Sequence, residues 1–281
     1  MNMTKAGYNW TPAKDNIQKN TFAILTCASL ARTGLVRHGF STRTGGISGG
    51  AFTSLNLGTH TADGKENIRV NYVRFCNGIG VDMDRLVLSH QVHSDNVRVV
   101  TAADAGRGLA RMPELTDVDG LITAERGLPI ATFYADCTPI LLLDPVKRVI
   151  ASVHSGWKGT LSRIGRKAVQ KMELEFGCRA ENILAATGPS IKQCHFEVSE
   201  DVYSLFVSEF GKTATACSIE KNEKYYIDTD AINMSELTAE GLLPEHISIC
   251  PECTYCRNDL FFSHRADGGK TGRMCAAIEL I

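Results

Sequence analysis

The run Ala131-Thr-Phe-Tyr-Ala-Asp136-Cys137-Thr-Pro139-Ile-Leu-Leu-Leu-Asp144-Pro145, continued by Arg148-Val-Ile-Ala-Ser-Val-His154-Ser-Gly-Trp-Lys158-Gly, decides how the chain folds. Its apolar segments are short and rich in β-branched, aromatic and aliphatic residues, so they read as strands buried on both faces. Pro139 has no N–H for a central ladder, which predicts a break just after the cysteine. Asp136, Cys137 and His154 then fall at strand ends, where polar groups can meet solvent or substrate. A cysteine and a histidine delivered together to such a place suit either a nucleophile pair or two metal ligands.

Upstream, Arg37 to Gly50 reads as a short strand ending in a glycine-rich loop. Asp63 to Glu66 fits a capping box, and Ile68, Tyr72, Cys76 and Ile79 follow at helical spacing before Gly80. Arg85 to Val92 and Asn96 to Val100 are expected strands, the first delivering Gln91 and His93, with a loop from Asp104 to Asp117. Downstream, Leu161, Ile164, Ala168, Met172 and Phe176 mark an amphipathic helix closed by Gly177. Ile183 to Thr187 is a further strand. Ser199 is expected to cap a helix with Val202, Leu205, Phe206 and Phe210 inside, and Asp230 to open a shorter one. Strands outnumber what strict βαβ alternation gives, so the pattern predicts one mixed α/β domain over residues 21–281, with residues 1–20 loosely ordered.

The chain has 281 residues, 43% hydrophobic and 22% charged, with a net charge of −1, which suits a globular protein and gives no global field for nucleic acid or an anionic membrane. No segment is long and apolar enough to span a bilayer. Ten cysteines spread along a chain without an export signal fit a reducing cytoplasm. There is no dinucleotide fingerprint and no phosphate-binding Walker loop.

Four groups of residues carry chemistry. His93, Cys137 and His154 offer two imidazoles and a thiolate, a three-ligand set for zinc with a fourth position open, or else a Cys–His hydrolytic pair with His93 as bystander. Arg43, among small hydroxyls and glycines, offers a fork for phosphate or carboxylate. Cys250, Cys253 and Cys256, with Cys275 further on, lack the fourth cysteine of an iron–sulfur run and the second pair of a zinc ribbon, and read as reduced structural thiols. Phe261 to Arg273 gathers Arg265, Lys270, Arg273 and His264 in a glycine-punctuated stretch able to wrap an anion.

His38-Gly-Phe-Ser-Thr-Arg43-Thr-Gly-Gly, Ser54-Leu-Asn56-Leu-Gly58, Gln91-Val-His93, Asp119-Gly120, Asp136-Cys137, Val153-His154-Ser-Gly-Trp-Lys158-Gly, Gly188-Pro189 through Cys194 to Glu197, and Phe261-Phe-Ser-His-Arg265 through Arg273 occur in fixed order. Together they resemble the bacterial laccase-domain proteins, first named polyphenol oxidases and later described as purine nucleoside phosphorylases. The resemblance covers roughly residues 35 to 281. It implies an α/β sandwich of mixed sheets between helices, related to the toxin cysteine deamidases, and a zinc site of His93, Cys137 and His154. It also implies phosphorolysis of adenosine, inosine and 5′-methylthioadenosine and deamination of adenosine, with nucleoside and phosphate as partners. Arg43, Asn56, Gln91, Lys158 and Arg265 become candidates for substrate and phosphate, and Asp136, Cys137 and Glu197 for catalysis.

Lys158 stands where the family carries arginine, and Ala266 interrupts a common Arg-Arg-Asp; the lysine keeps charge but loses the planar fork. Copper could occupy the same ligands, since Cu(II) outcompetes Zn(II) at most such sites. A multicopper oxidase, however, needs many histidines in His-x-His pairs, and this chain has eight histidines and no such pair. The remaining alternatives are a hydrolase or amidase with Cys137 as nucleophile and His154 as base, and a binding protein that senses a purine without turnover.

Overall fold

The computed structural model describes residues 4–5, 7–14 and 21–281. They form a mixed α/β single domain of two stacked six-stranded sheets, a small third sheet and outer helices. The first sheet runs Thr4–Lys5, Tyr8–Lys14, Thr21–Cys27, Val36–Ser41, Met274–Leu280, Ile130–Tyr134, antiparallel throughout. The second runs Ile247–Ser248, Leu184–Thr187, Thr138–Asp144, Val149–Ser155, Gly120–Thr123, Val97–Val99, with a parallel strand at each edge.

Side chains alternate across each strand, and here both faces are covered. Leu141, Leu143 and Ile150 of the second sheet pack against Phe40, Tyr134, Ala276 and Ile278 of the first, closing the central layer. Ile140, Leu142, Ala151 and Val153 point the other way, onto Ile164, Ala168, Val169 and Met172 of the helix Ile164–Phe176. On the far side Ala131, Cys275 and Ala277 meet Ile68, Tyr72, Phe75 and Cys76 of the helix Lys65–Ile79. Each fully buried aliphatic or aromatic side chain is worth about 1.5–3 kcal/mol of transfer free energy, so two covered sheets account for the uninterrupted apolar runs. No helix among the described residues is long and apolar enough to cross a membrane.

Several expectations need correcting. Residues 8–14, expected to be loosely ordered, pair with Thr21–Cys27 over seven positions, and buried Tyr8 donates its hydroxyl to Thr187 (2.6 Å) and Ser248 (2.9 Å) carbonyls. The rest of that expectation, 1–3, 6 and 15–20, lies outside the described residues. The chain does not break at Pro139. The strand Thr138–Asp144 runs through it, because its carbonyl accepts from Gly188 on the side where Leu184–Thr187 has ended, so the missing N–H faces no ladder partner. Arg85 to Val92 is no continuous strand; the 3-10 turn Met83–Arg85 leads into single bridges at Val87 and Ser89. Leu161 belongs to a separate short helix, Trp157–Leu161, and Leu205 is exposed beside buried Phe206 and Phe210.

Candidate metal and substrate site

The register of the central hairpin creates the site. Thr138 pairs with Ser155, so Cys137 and Gly156, one step beyond each, are neighbours at the same end of the two central strands, with His154 just inside. A Cβ on Gly156 would lie 2.7 Å from Cδ2 of His93 and 3.1 Å from Cys137 Sγ, so the chain must be bare there for the three groups to meet.

His93 arrives on a loop held by Asp119. That fully buried carboxylate accepts from the backbone N–H groups of Val92 (3.1 Å), His93 (3.0 Å) and Ser94 (2.8 Å) and from the Ser94 hydroxyl (2.8 Å). It also bonds His154 Nδ1 at 2.9 Å, while its own carbonyl accepts from the His154 N–H at 2.7 Å. One residue thus aligns both imidazoles and leaves Nε2 as the other ligand atom of His154. His93 and Asp136 hold left-handed φ of 61° and 83°. Such positions cost non-glycine residues about 1–3 kcal/mol and persist only where surrounding bonds dictate them.

Asp136 supplies the second set of such bonds. Its carboxylate accepts from the Thr254 hydroxyl (2.6 Å) and the Arg265 N–H (2.7 Å), and its carbonyl from Ile191 N–H (2.8 Å). Three loops are therefore tied to the residue before Cys137.

The ligand atoms of His93, Cys137 and His154 lie within 4.8 Å of one another, with Cys137 Sγ 3.8 Å from His93 Nε2. Burial opposes charge on Cys137, but His154 and His93 outweigh it and lower its pKa to about 6. Burial likewise disfavours the His154 cation, and the Cys137 and Asp119 charges overcome that, raising it to about 9. Asp119 follows the same logic: burial pushes up, the His154 ring and Ser94 bonds pull down, and the acid sits at about 2. A thiolate beside two oriented imidazoles is the donor set zinc prefers, so these residues fit the metal.

The three ligands line a cavity of about 470 Å³, a volume suited to a small-molecule ligand. Phe133, Trp157 and Phe196 give it aromatic walls; His60, His90, Tyr134, Asp136, His264, Arg265 and Arg273 are its other titratable neighbours, with Gln91 also in the lining. Gln91 is fixed by a two-way bond to Phe133, donating to its carbonyl and accepting from its N–H at 2.8 Å each. Arg273 donates Nη1 to the Thr271 and Gly272 carbonyls, and neither it nor Arg265 forms a carboxylate ion pair among the described residues. Two cations facing a cavity in this state attract an anion.

Other sequence candidates stand elsewhere. Arg43 donates to the carbonyls of Thr53 (3.1 Å) and Asn258 (2.8 Å), approaches Asp267 at 3.8 Å and lies over Phe262, so its fork is engaged away from the cavity lining. Asn56 is buried and accepts from the Arg273 N–H at 2.9 Å, so it positions a lining residue without lining the cavity itself. Lys158 stands over Trp157, and Glu197 accepts from the Tyr226 hydroxyl at 3.0 Å; both are outside the lining. Sequence reasoning passed over Asp119, His60, His90 and the placement of Arg273. The Asp119-Gly120 pair and the Thr-Gly-Arg273 end of the last motif carried the available signal.

Residues 37–281 match the family model described as multi-copper polyphenol oxidoreductase laccase. The chain is 34% identical to purine nucleoside phosphorylase YlmD of Bacillus subtilis, covering 85% of this chain and 87% of the relative. It is 32% identical to adenosine deaminase RL5 of an unknown prokaryotic organism, over 85% and 92% of the two chains. Among solved structures, the hypothetical protein YfiH of Bacillus licheniformis superposes with a TM-score of 0.87 at 31% identity, covering 92% of this chain and 96% of that one.

Proposed function

The chain belongs to the multi-copper polyphenol oxidoreductase laccase family, and within it we propose a purine nucleoside phosphorylase that cleaves adenosine, inosine and 5′-methylthioadenosine and also deaminates adenosine. The observation that carries this reading is the joining, in one cavity, of a His–Cys–His donor set, aromatic walls and two arginines that form no carboxylate ion pair among the described residues. The names of the relatives YlmD and RL5 point to the same two reactions.

In phosphorolysis an oxygen of phosphate forms the bond to C1′ while the C1′–N9 bond breaks and its electron pair leaves with the base. Arg265 and Arg273 would hold the dianion, and Phe133, Trp157 and Phe196 would hold the purine plane, so positioning supplies much of the barrier reduction. The departing base needs a proton, and His60, His90 and His264 are the lining imidazoles outside the ligand set. Asp136, with both carboxylate oxygens already accepting, serves as the tie that positions Cys137 and Arg265. Arg43, Asn56 and Lys158 then support the loops, and Glu197 supports the small sheet. A zinc ion held by His93, Cys137 and His154 would supply Lewis-acid polarisation to a substrate atom or water beside it. Copper could bind the same donors, but a multicopper oxidase centre is built on His-x-His pairs, and this chain has none. The free state of all ten cysteines supports a cytoplasmic setting.

Chromatography of adenosine and inosine reactions, with and without phosphate, tests the reading. Phosphate-dependent release of adenine and hypoxanthine is expected, together with phosphate-independent inosine from adenosine. Intact nucleosides after incubation with zinc-loaded protein would refute it. A second reading, a hydrolase with Cys137 as nucleophile, rests on its lowered pKa beside the His154–Asp119 pair. It requires a Cys137 adduct and hydrolysis in fully chelated protein.

A further inference from the structure

Outside the cavity ligands, the described residues hold a second group of soft donors. Cys253 and Cys256 come from a Cys-x2-Cys turn in which Arg257 N–H bonds back to the Cys253 carbonyl at 2.9 Å. Cys194 and His195 come from a tight loop, 59 residues earlier than Cys253, folded by bonds from the His195 and Phe196 N–H groups to the Lys192 carbonyl. This is the half-site that a count of local cysteine pairs could not find. Cys250 and Cys275, by contrast, are fully buried apolar-layer residues.

We propose that Cys194, His195, Cys253 and Cys256 form a structural zinc site that clamps the 190–197 loop to the 250–257 loop. The geometry carries it. Cys194 Sγ lies 3.7 Å from Cys253 Sγ and 3.8 Å from Cys256 Sγ, and His195 Nδ1 lies 3.2 Å from Cys194 Sγ and 3.3 Å from Cys256 Sγ. A tetrahedron with zinc–sulfur bonds of 2.3 Å has sulfur–sulfur edges of about 3.8 Å, and with a nitrogen at about 2.0 Å the mixed edges are about 3.5 Å. The sulfurs therefore stand at metal-shared spacing, far longer than the roughly 2.05 Å of a disulfide.

Two further features fit a metal thiolate. The Lys192 N–H points at Cys253 Sγ at 3.5 Å, as a donor does to a coordinated sulfur, and the His195 ring is stacked on Tyr255 at 4.1 Å, which fixes its plane. Cys194 and Cys256 are exposed, which leaves an entry path for the ion.

The consequence for the cavity is positional. Phe196 follows His195 directly and lines the cavity, Arg265 donates to the His195 carbonyl at 3.4 Å, and Thr254, next to Cys253, holds Asp136. A metal here would brace one wall of the substrate site without touching substrate.

Metal content of zinc-grown protein, exhaustively dialysed, provides the test. Wild type should hold about two zinc ions per chain, Cys256→Ser about one, His93→Ala about one, and the double variant none. Cobalt loaded into His93→Ala should give the intense visible bands of a tetrahedral site rich in thiolates, a readout that requires no activity and no cysteine substitution. Equal zinc in wild type and Cys256→Ser, or cobalt in His93→Ala without such bands, would overturn the proposal. So would a disulfide joining any two of these cysteines in the zinc-grown protein.

Discussion

His154 and Cys137 stand at the ends of adjacent strands whose register sets their spacing, while Cys194, His195, Cys253 and Cys256 come from two loops joined by one isolated bridge, Ser190 to Cys253. In the first group, Asp119 and Asp136 orient the candidate ligands through hydrogen bonds within the protein itself. In the second, ordering rests on a few backbone bonds and the ligands' own contacts. Strand-built sites are preorganised, whereas loop-built sites rely on the metal as part of their fold. That division suits a reacting centre on one side and a brace on the other.

The comparison breaks most visibly at Asp119. Asp119→Asn keeps the shape but removes the charge facing His154 and one acceptor for the His93 loop. Zinc affinity at the cavity should fall on the order of 10–100-fold, the usual cost of losing a ligand's outer partner. Competition with a chromophoric chelator reads this, and unchanged affinity would mean that the sheet does not organise the ligands. Content at the loop cluster should stay the same.

Gly156→Ala should act next. Its methyl would enter the 2.7 Å gap to His93 and push that ring from Cys137. Overpacking of this kind costs about 1–3 kcal/mol, so roughly ten-fold weaker cavity metal is expected in the same competition assay. Wild-type affinity would show that the backbone yields freely there.

The smallest effect serves as a control away from both clusters. His38 is buried on Val36–Ser41, and burial lowers its pKa to about 4, while the Cys27 N–H donates to its Nε2 at 2.9 Å, which requires that nitrogen unprotonated. The unfolded chain takes up this proton near pH 6.5 and the folded chain only near 4, so the stability is present above 6.5 and is lost as pH falls across that window. Between pH 7 and 5.5 the loss attributable to His38 is about 1 kcal/mol. Denaturant midpoints for wild type and His38→Gln should converge as pH falls; a constant gap would reject the assignment.

The layered fold was legible because two-faced burial writes itself into sequence: Ile130–Tyr134 and Thr138–Asp144 are apolar at every step or nearly so. The meeting of Cys137 and His154 was legible because both chemistry-bearing types stood at strand ends, and His93 joins them from a loop. Pro139 misled because a proline rule assumes a ladder partner on the N–H side, and only the crossing of Gly188 shows that none is needed. Asp119 was quoted in a motif but given no role, since a carboxylate's backbone donors cannot be read from spacing. Arg43 and Arg273 part for the same reason: both are arginines near glycines offered from the sequence for an anion, and only tertiary contacts decide which of them lines the cavity. The pairing of Cys194 with Cys253 spans 59 residues and two loops, a separation that local metal motifs do not search.

The most direct test is to titrate zinc into chelated Cys256→Ser, which isolates the cavity ligands, while following phosphate-dependent release of hypoxanthine from inosine. Base release should start near zero, rise in proportion to added metal and level off at about one ion per chain. Release at full rate in the metal-free protein, or none at saturation in phosphate, would contradict the assignment of nucleoside phosphorolysis to His93, Cys137 and His154.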